Sequence, residues 1–361
     1  MSKLQNHHQH QRERIAHGWW LYPLVLVLLL VLSRSNIVKA SEANDLAWQP
    51  ETCKTKVAFP DSNIDRSEQK VFVNKDLARK TLETPGIGRL EINSLQGKNL
   101  TVHVFRPDNF DAEAGRIWFV MHGTERDARR YLKRAIPVAR RHKVLLLVLE
   151  FSRDQYPDGD AYTIGMNNPS RMNAHAAEGS ASSNSLHTPH MEIERTFSSV
   201  RKTLKSKQPG YFIFGHSAGA QFVHRLLSFV RCPRVLKAVA ANAGWYTLST
   251  IDKKWAPFPY SLRGTAPDFK SPRQVLAAPL TILLGSEDTR GNEEDRRLRG
   301  SKSAMAQGAN RLQRGINYYR VGRQEARTAG WPFGWKVQIV PDAEHKVEEV
   351  ISTAGDLLFA D

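Results

Sequence analysis

Short apolar runs alternate with amphipathic stretches from about residue 100 to the end of the chain. The runs are rich in aliphatic and aromatic residues, which is typical of strands that are covered on both faces. The predicted strands are residues 100–105, 117–121, 144–151, 211–214, 235–241, 280–284 and 336–340. Because helical stretches separate them, the pattern predicts right-handed βαβ crossovers, and therefore an α/β fold with a mainly parallel sheet and helices on both faces.

Helical spacing of apolar residues is clear in several of the intervening segments. Leu132 and Ala139 share one face of a helix that Pro137 is expected to kink or shorten. A further helix is predicted near residues 193–204, and a closing helix near residues 347–359. In sheets of this type ligands bind at the loops beyond the carboxyl ends of the strands, so those loops are where chemistry is expected.

Residues 152–190 interrupt this alternation. The segment contains several prolines and glycines and ends in a run rich in serine, alanine and histidine from residue 175 to residue 190. A loop of this length within a domain is usually functional or mobile. We therefore expect a loop-rich insertion that acts as a partial lid over a pocket.

The first forty residues have the pattern of a signal peptide. A basic stretch precedes the apolar run 19–32, and small residues at Val38 and Ala40 suit cleavage near Ala40. Export to the periplasm or the medium is the prediction. The alternative is a membrane anchor at residues 19–32, although this run is shorter than the roughly 20 residues that span a bilayer. Residues 41–85 show no clear period and are predicted to be irregular, which assigns the α/β domain to residues 86–361.

The two cysteines, Cys53 and Cys232, are compatible with export, because an oxidising compartment allows a single pair to form a disulfide bond. The alternative is two free thiols that lie too far apart to react. Neither cysteine belongs to a cluster with the spacing of metal ligands, so no metal site is predicted.

The chain is strongly basic, with a formal net charge of +16. Loss of residues 1–40 removes five cations and one anion, which leaves +12 for the remaining chain. This charge predicts at most a weak association with anionic surfaces. The cations are spread over helices without a nucleic-acid-binding signature, so no specific nucleic acid partner is expected. The oligomeric state is left open.

A serine nucleophile is indicated by the sequence from Gly215 to Gly219, which reads Gly-His-Ser-Ala-Gly. The motif follows an apolar strand and precedes an amphipathic helix. A serine at such a turn has a strained backbone that lifts its hydroxyl above the sheet, and the flanking glycines permit close packing. Ser217 is therefore the predicted nucleophile.

A serine hydroxyl needs a base to accept its proton, and that base needs an acceptor that orients it. His345 follows the last predicted strand, and Asp288 follows the strand before it. The order Ser, Asp, His along the chain is the one that a nucleophile on a strand-to-helix turn uses. Glu287 and Asp295 are the alternatives for the acid.

Backbone N–H groups usually stabilise the oxyanion of a tetrahedral intermediate. Ala218, directly after the nucleophile, is one predicted donor. The other is expected in the loop after the strand 117–121, with Thr124 as first choice and Gly123 as second.

Four further residues are assigned to substrate binding. His122 and His216 lie beside the predicted oxyanion donor and the nucleophile, and Trp245 and Tyr246 follow a strand of the sheet. For the two aromatic residues the hydrophobic core is the alternative location. Trp331 and Phe333, near the histidine loop, are further candidates of the same kind.

From about Leu100 to its end, the chain resembles the α/β-hydrolase superfamily. The segments Phe119–Thr124, Tyr211–Gln221 and Ala240–Tyr246 are similar to bacterial exported esterases of the polyhydroxybutyrate depolymerase type, although no polymer-binding domain follows. The resemblance implies hydrolysis of small-molecule or polymeric esters through an acyl-enzyme, without a metal or an organic cofactor. A peptidase or acyltransferase with the same triad, and a non-catalytic binding domain, remain as alternatives.

Overall fold

The computed structural model describes residues 71–165, 189–265 and 270–360. The predicted signal peptide, Cys53 and residues 166–188 of the expected lid lie outside these ranges. At the centre of the fold is a sheet of eight strands. These are β1 (Gly86–Asn93), β2 (Asn99–Arg106), β3 (Ile117–Met121), β4 (Leu145–Glu150), β5 (Tyr211–His216), β6 (Val235–Ala241), β7 (Leu280–Gly285) and β8 (Lys336–Val340).

The strand order across the sheet is β1-β2-β4-β3-β5-β6-β7-β8. Strand β2 is antiparallel to both of its neighbours, whereas every pair from β4 to β8 is parallel. The prediction of a mainly parallel sheet is confirmed. The carboxyl ends of β3, β5, β6, β7 and β8 consequently open onto the same edge of the sheet, which is where the predicted chemical groups lie.

Helices cover both faces of the sheet. They are α1 (Lys75–Glu83), α2 (Ala128–Arg141), α3 (Gly159–Thr163), α4 (Pro189–Leu204), α5 (Ala218–Phe229), α6 (Pro272–Leu276), α7 (Lys302–Met305), α8 (Arg311–Ala329) and α9 (Val347–Phe359). The apolar residues of α2 and α9 pack into one core, and those of α1, α4, α5 and α8 pack into the other. No helix among the described residues combines the length and the hydropathy needed to cross a bilayer.

The prediction of an irregular segment at 41–85 is wrong over residues 75–83, which form α1. The Asn74 side chain caps this helix by accepting a hydrogen bond of 2.9 Å from the backbone N–H of Leu77. Only Ala78 and Leu82 are buried, so its apolar face is a single pair of residues one turn apart. A pattern this short does not stand out from a polar background.

Helix α2 passes Pro137 and ends at Arg141, so this proline does not terminate it. The last turn buries Val138 and Ala139 against the sheet. That burial offsets the loss of one backbone hydrogen bond, which a proline inside a helix cannot make. The helix therefore keeps its full length of 14 residues.

Candidate active site

Ser217 lies at the turn between β5 and α5, with φ 60° and ψ −118°. This left-handed backbone is strained for any residue that carries a Cβ. A Cβ on Gly215 would overlap the backbone of Gly219, and one on Gly219 would overlap the backbone of Met121. Both glycines are thus required by the close packing of β5, α5 and β3, as the motif predicts, and the packing holds the serine above the sheet.

The loops after β7 and β8 carry Asp288 and His345 and are bonded to each other. The N–H of Glu287 donates to the carbonyl of Ala343 at 2.9 Å. The N–H of Asp342 donates to the Ser286 hydroxyl at 2.9 Å. A Cβ on the intervening Gly285 would collide with the Ala343 carbonyl. The acid loop and the base loop therefore form one unit.

Asn242, after β6, joins this unit to the centre of the sheet. Its side-chain oxygen accepts the N–H of Gly285 at 2.9 Å, and its amide nitrogen donates to the carbonyl of Glu344 at 3.3 Å. Asn242 is buried and has a positive φ of 52°, a conformation that asparagine tolerates better than most residues. Asn242 lies within the segment Ala240–Tyr246 that carries the family resemblance, but its position in the sequence does not indicate that it bridges two loops.

The structure brings the three predicted triad residues into contact. Nε2 of His345 lies 3.0 Å from Oγ of Ser217, and Nδ1 of His345 lies 2.7 Å from Oδ2 of Asp288. Asp288 is 2% exposed, whereas the imidazole retains access to solvent. A serine, an imidazole and a buried carboxylate in this order can pass the serine proton to the histidine and stabilise the imidazolium that forms.

The two alternative acids are placed differently. Glu287 is exposed, and its carboxylate accepts a hydrogen bond from the Ser286 hydroxyl. Asp295 contacts Arg311 at 2.7 Å and Arg297 at 3.0 Å. In the described structure His345 is thus oriented by Asp288 and not by either rival.

The loop after β3 lies beside Ser217. A Cβ on Gly123 would lie 3.6 Å from Cβ of Ser217. The backbone N–H of Gly123, however, acts on the Tyr131 hydroxyl, where it partly opposes the rise in the Tyr131 pKa that burial causes. Thr124 is the next residue of this loop, and its carbonyl accepts a hydrogen bond of 3.1 Å from Arg153. The N–H of Ala218, in the first turn of α5, has no acceptor within its helix.

His216 packs against the ring of His345. Its ring is 4% exposed, and its Nδ1 lies 3.1 Å from the Tyr131 hydroxyl. Burial, together with the nearby His345, lowers the pKa of His216 well below its ordinary value, so the ring is neutral at neutral pH. The structure places His216 against the ring of His345 rather than on an open pocket wall.

The assignment of His122 to substrate binding is corrected by its surroundings. The ring is fully buried, stacks on Tyr162 at 4.8 Å and accepts the N–H of Phe151 at 3.1 Å. Its Nδ1 lies 3.2 Å from the carbonyl of Gly123. Burial lowers the pKa of His122 to about 3. His122 therefore supports the loop that precedes Thr124 and has no surface for a ligand.

The two aromatic residues after β6 belong to the core. Tyr246 is fully buried and stacks on Tyr318 with ring centroids 4.3 Å apart. Trp245 is 3% exposed, and its ring lies 4.0 Å from the Arg225 guanidinium and 4.3 Å from that of Arg299. Of the two locations that the sequence left open, the structure selects the core. The more distant candidates are likewise packed against the core, although partly exposed: Trp331 and Phe333.

Two arginines that pack on Trp245 were not identified from the sequence. Gln221, one helical turn after Ser217, lies against Gly244, and the neighbouring Trp245 is in contact with Arg225 and Arg299. Arg299 is partly exposed and makes a two-pronged ion pair with Asp160 at 2.7 and 2.8 Å. Burial lowers the pKa of Arg225 to about 9, which leaves it a cation at neutral pH. No sequence signal separates these arginines from the many solvated ones.

No group of three or more histidine, cysteine, aspartate or glutamate side chains able to hold a metal ion occurs within residues 71–165, 189–265 and 270–360. Cys232 is not a free thiol.

Two solved structures resemble the chain over most of its length. The structure of poly(aspartic acid) hydrolase-1 from Sphingomonas sp. KT-1 is 35% identical, with a TM-score of 0.67, and the match covers 76% of this chain and 99% of that chain. The structure of LpqC, a poly(3-hydroxybutyrate) depolymerase from Bordetella parapertussis, is 28% identical, with a TM-score of 0.68, and the match covers 79% of this chain and 94% of that chain. No protein-family model and no curated protein sequence matches the chain.

Proposed function

Because the chain belongs to the α/β-hydrolase superfamily of serine hydrolases and resembles the polyhydroxybutyrate depolymerase group within it, we propose that it hydrolyses carboxylic esters through an acyl-enzyme. The single observation that carries this proposal is the contact chain from Ser217 through His345 to Asp288, at 3.0 and 2.7 Å. Hydrolase activity follows from the family, whereas the ester as substrate and the roles of the three residues are the proposal.

In the proposed reaction, Oγ of Ser217 attacks the ester carbonyl while Nε2 of His345 accepts the hydroxyl proton. Asp288 stabilises the imidazolium, and the N–H groups of Ala218 and Thr124 stabilise the oxyanion. The imidazolium then donates its proton to the departing alkoxide, so that the alcohol leaves and an acyl-serine remains. A water molecule then attacks the acyl group while His345 accepts its proton. The imidazolium returns this proton to Oγ of Ser217, which releases the carboxylic acid and restores the serine.

The experiment that tests this proposal is labelling of the purified protein with a fluorophosphonate probe, together with hydrolysis of aryl esters of increasing acyl length. We expect Ser217→Ala to lose both labelling and hydrolysis. The matched control is Ser352→Ala, because Ser352 is exposed on α9 and contacts only surface groups. A folded wild-type protein that neither reacts with the probe nor cleaves esters would support a non-catalytic binding domain instead.

A second candidate function is hydrolysis of amide bonds in an acidic polymer, since a triad alone does not select the leaving group. Two observations favour it: the likeness to poly(aspartic acid) hydrolase-1, and Arg299, a partly exposed cation. Hydrolysis of poly(aspartic acid) and of neutral aryl esters should be compared for the wild type and Arg299→Gln. A loss confined to the acidic polymer would favour this candidate, and an equal loss on both substrates would not.

Transfer of the acyl group to an acceptor other than water is tested with the same protein. Added alcohols or amines would form new esters or amides at the expense of free acid in an acyltransferase. For a hydrolase, free acid is expected to remain the main product.

Export remains a proposal that rests on residues 1–40. Expression of the full chain in a bacterial host, followed by N-terminal sequencing of the periplasmic or secreted protein, is expected to yield a chain that begins at Ser41. An uncleaved chain in the membrane fraction would favour the anchor at residues 19–32.

A further inference from the structure

Arg311 occupies an unfavourable position for a cation. It is the first residue of α8, a helix of 19 residues, and the positive end of the helix dipole lies there. It is also 2% exposed. The capping of the helix is provided by Asn310, whose side chain accepts the N–H of Gln313 at 2.9 Å, so Arg311 is not needed for that purpose. A buried cation at this end of a helix requires nearby carboxylates.

Two carboxylates meet the Arg311 guanidinium. Nη2 lies 2.7 Å from Oδ2 of Asp295, and Nη1 lies 3.4 Å from Oδ1 of Asp288. The other oxygen of Asp288 is the one that contacts His345. The backbone adds a third link, because the N–H of Leu312 donates to the carbonyl of Asp288 at 3.3 Å. Arg311 thus contacts the carboxylate oxygen of Asp288 that does not face His345, and the start of α8 binds the backbone carbonyl of Asp288.

We propose that Arg311 is a positioning residue for the reaction, which fixes the rotation of the Asp288 carboxylate and, together with Asp295, sets the pH range over which His345 acts as a base. This inference rests on the proposed function, because it assumes that Asp288 orients His345. Arg311 does not touch the substrate. It acts through the carboxylate between itself and the imidazole.

Asp295 gives this arrangement its balance of charge. Burial acts to raise the pKa of Asp295, but hydrogen bonds from Arg297 and Arg311 outweigh burial and hold this pKa below its usual range. Asp295 is therefore an anion. The guanidinium of Arg311 is therefore shared between two negative groups. Loss of either Arg311 or Asp295 changes the net charge beside the triad by one unit, in opposite directions.

The other charged and titratable groups around Asp288 and His345 come from several elements. His216 is the last residue of β5 and is neutral, because burial lowers its pKa well below the ordinary value. Tyr246 lies near Asp288, and burial raises the pKa of Tyr246. Further charged groups in this region are Arg130, Arg290, Arg297, Glu344, Lys346 and Glu349. Glu344 and Lys346 pair with each other at 2.9 Å, and Arg297 is largely exposed, so these groups are balanced or screened by solvent. Arg311 is the buried cation in contact with the acid.

The direction of the expected change follows from the sign of each charge. A positive charge next to the acid disfavours the protonated imidazole, and a negative charge favours it. Arg311→Gln should therefore keep the histidine protonated to higher pH, which moves the acidic limb of the activity profile upward. Asp295→Asn should move the same limb downward, because the charge of Arg311 is then shared with Asp288 alone.

The test is the pH profile of kcat and kcat/KM for an aryl ester, measured for wild type, Arg311→Gln, Arg311→Lys and Asp295→Asn. The matched control is Arg297→Gln, since Arg297 binds the same Asp295 carboxylate without a contact to Asp288. We expect Arg311→Gln to lower kcat about 10- to 100-fold at little change in KM, because a small misplacement of a catalytic group has effects of this size. Its acidic limb should rise by about half a pH unit or more.

Arg311→Lys retains the charge but not the two-pronged geometry, so it should keep the limb of the wild type and lose part of kcat. Equal kcat and equal limbs in Arg311→Gln and Arg297→Gln, with only the melting temperature lowered, would overturn the inference. If Arg311→Gln does not fold, the pH profile of Asp295→Asn becomes the test. An acidic limb of that profile that stays in place or moves to higher pH would contradict the inference. Labelling of wild type with a fluorophosphonate separates these outcomes from failure of the proposed function itself.

Discussion

The imidazole rings of His216 and His345 lie with their centroids 4.7 Å apart and their planes inclined by 36°. The residue before Ser217 therefore packs against His345, the base proposed to accept the Ser217 proton. Because burial lowers the pKa of His216 well below its ordinary value, the supporting ring carries no charge that would oppose formation of an imidazolium on His345. Strand β5 thus ends in a ring that packs against the ring of His345.

Replacement of His216 tests whether its ring affects His345 through packing or through charge. We expect His216→Gln to lower kcat about tenfold through looser packing of His345, with the acidic limb of the pH profile unchanged because the native ring is neutral. The measurement is kcat against pH for an aryl ester, with His142→Gln at the end of α2 as control. A limb that moves in His216→Gln would mean that the native ring is charged.

Asp288 and its neighbour Glu287 provide a direct comparison of two carboxylates. Asp288→Asn should lower kcat by about 10³- to 10⁴-fold, because the amide stabilises the wrong tautomer of the imidazole. Glu287→Gln should stay within about twofold of the wild type, since its carboxylate is exposed and does not contact His345. Steady-state kinetics on one ester decides the question. Comparable losses in the two variants would show that the acid is assigned wrongly.

Gly123 and Tyr131 are coupled through a close approach. A Cβ on Gly123 would lie 2.7 Å from the Tyr131 hydroxyl, and burial leaves this tyrosine little room to move. We expect Gly123→Ala to lower kcat/KM at least tenfold by displacing the loop that carries Thr124. The double variant with Tyr131→Phe should recover part of that loss, because the hydroxyl is removed. If the double variant is no better than Gly123→Ala, the loop is displaced by another contact.

The buried histidine His122 makes stability depend on pH. Its pKa is lowered by burial to about 3, whereas in the unfolded chain it is near 6.5. Below pH 6.5 the unfolded state binds a proton that the folded state does not, so the free energy of unfolding falls as the pH drops from about 6.5 towards 3. The slope for one such histidine is up to about 1.4 kcal/mol per pH unit.

Denaturant unfolding of His122→Gln at several pH values tests this dependence. The variant is expected to be less stable at pH 7, because the hydrogen bond from Phe151 is altered, but to lose stability less steeply between pH 6 and 4. The control replacement is made at His142, which is partly exposed. An identical slope in His122→Gln and the wild type would contradict the assignment of His122 as a buried neutral group.

The parallel strands were predictable because each is a continuous apolar run. Residues 280–284 and 336–340 were placed within one residue of β7 and β8, and this was sufficient to put Asp288 and His345 in the loops beyond them. Strand β1 was missed for the opposite reason. It begins with glycines and buries only Leu90 and Ile92, so its alternation is too short to be distinguished from an irregular segment.

Residues that act through distant partners carried no sequence signal. Arg311 stands in a basic region of the chain, and its burial depends on Asp288 and Asp295, which lie in another loop. Asn242 bridges two loops that meet only in the folded protein. The prediction that His122 binds substrate rests on its position directly before Gly123. That position does not show which way the ring points. Local patterns report periodicity, whereas these roles depend on long-range contacts.

The backbone of Ser217 is strained, at φ 60° and ψ −118°, so a side chain at this position lowers the stability of the fold. A residue with a Cβ in this backbone conformation destabilises the fold by about 1–3 kcal/mol. Glycine avoids most of this strain because it has no Cβ. Ser217→Gly is therefore expected to unfold at a higher denaturant concentration than Ser217→Ala, although both are inactive. A side chain at this position therefore costs the fold stability, and the role proposed for Ser217 is what would account for a serine there.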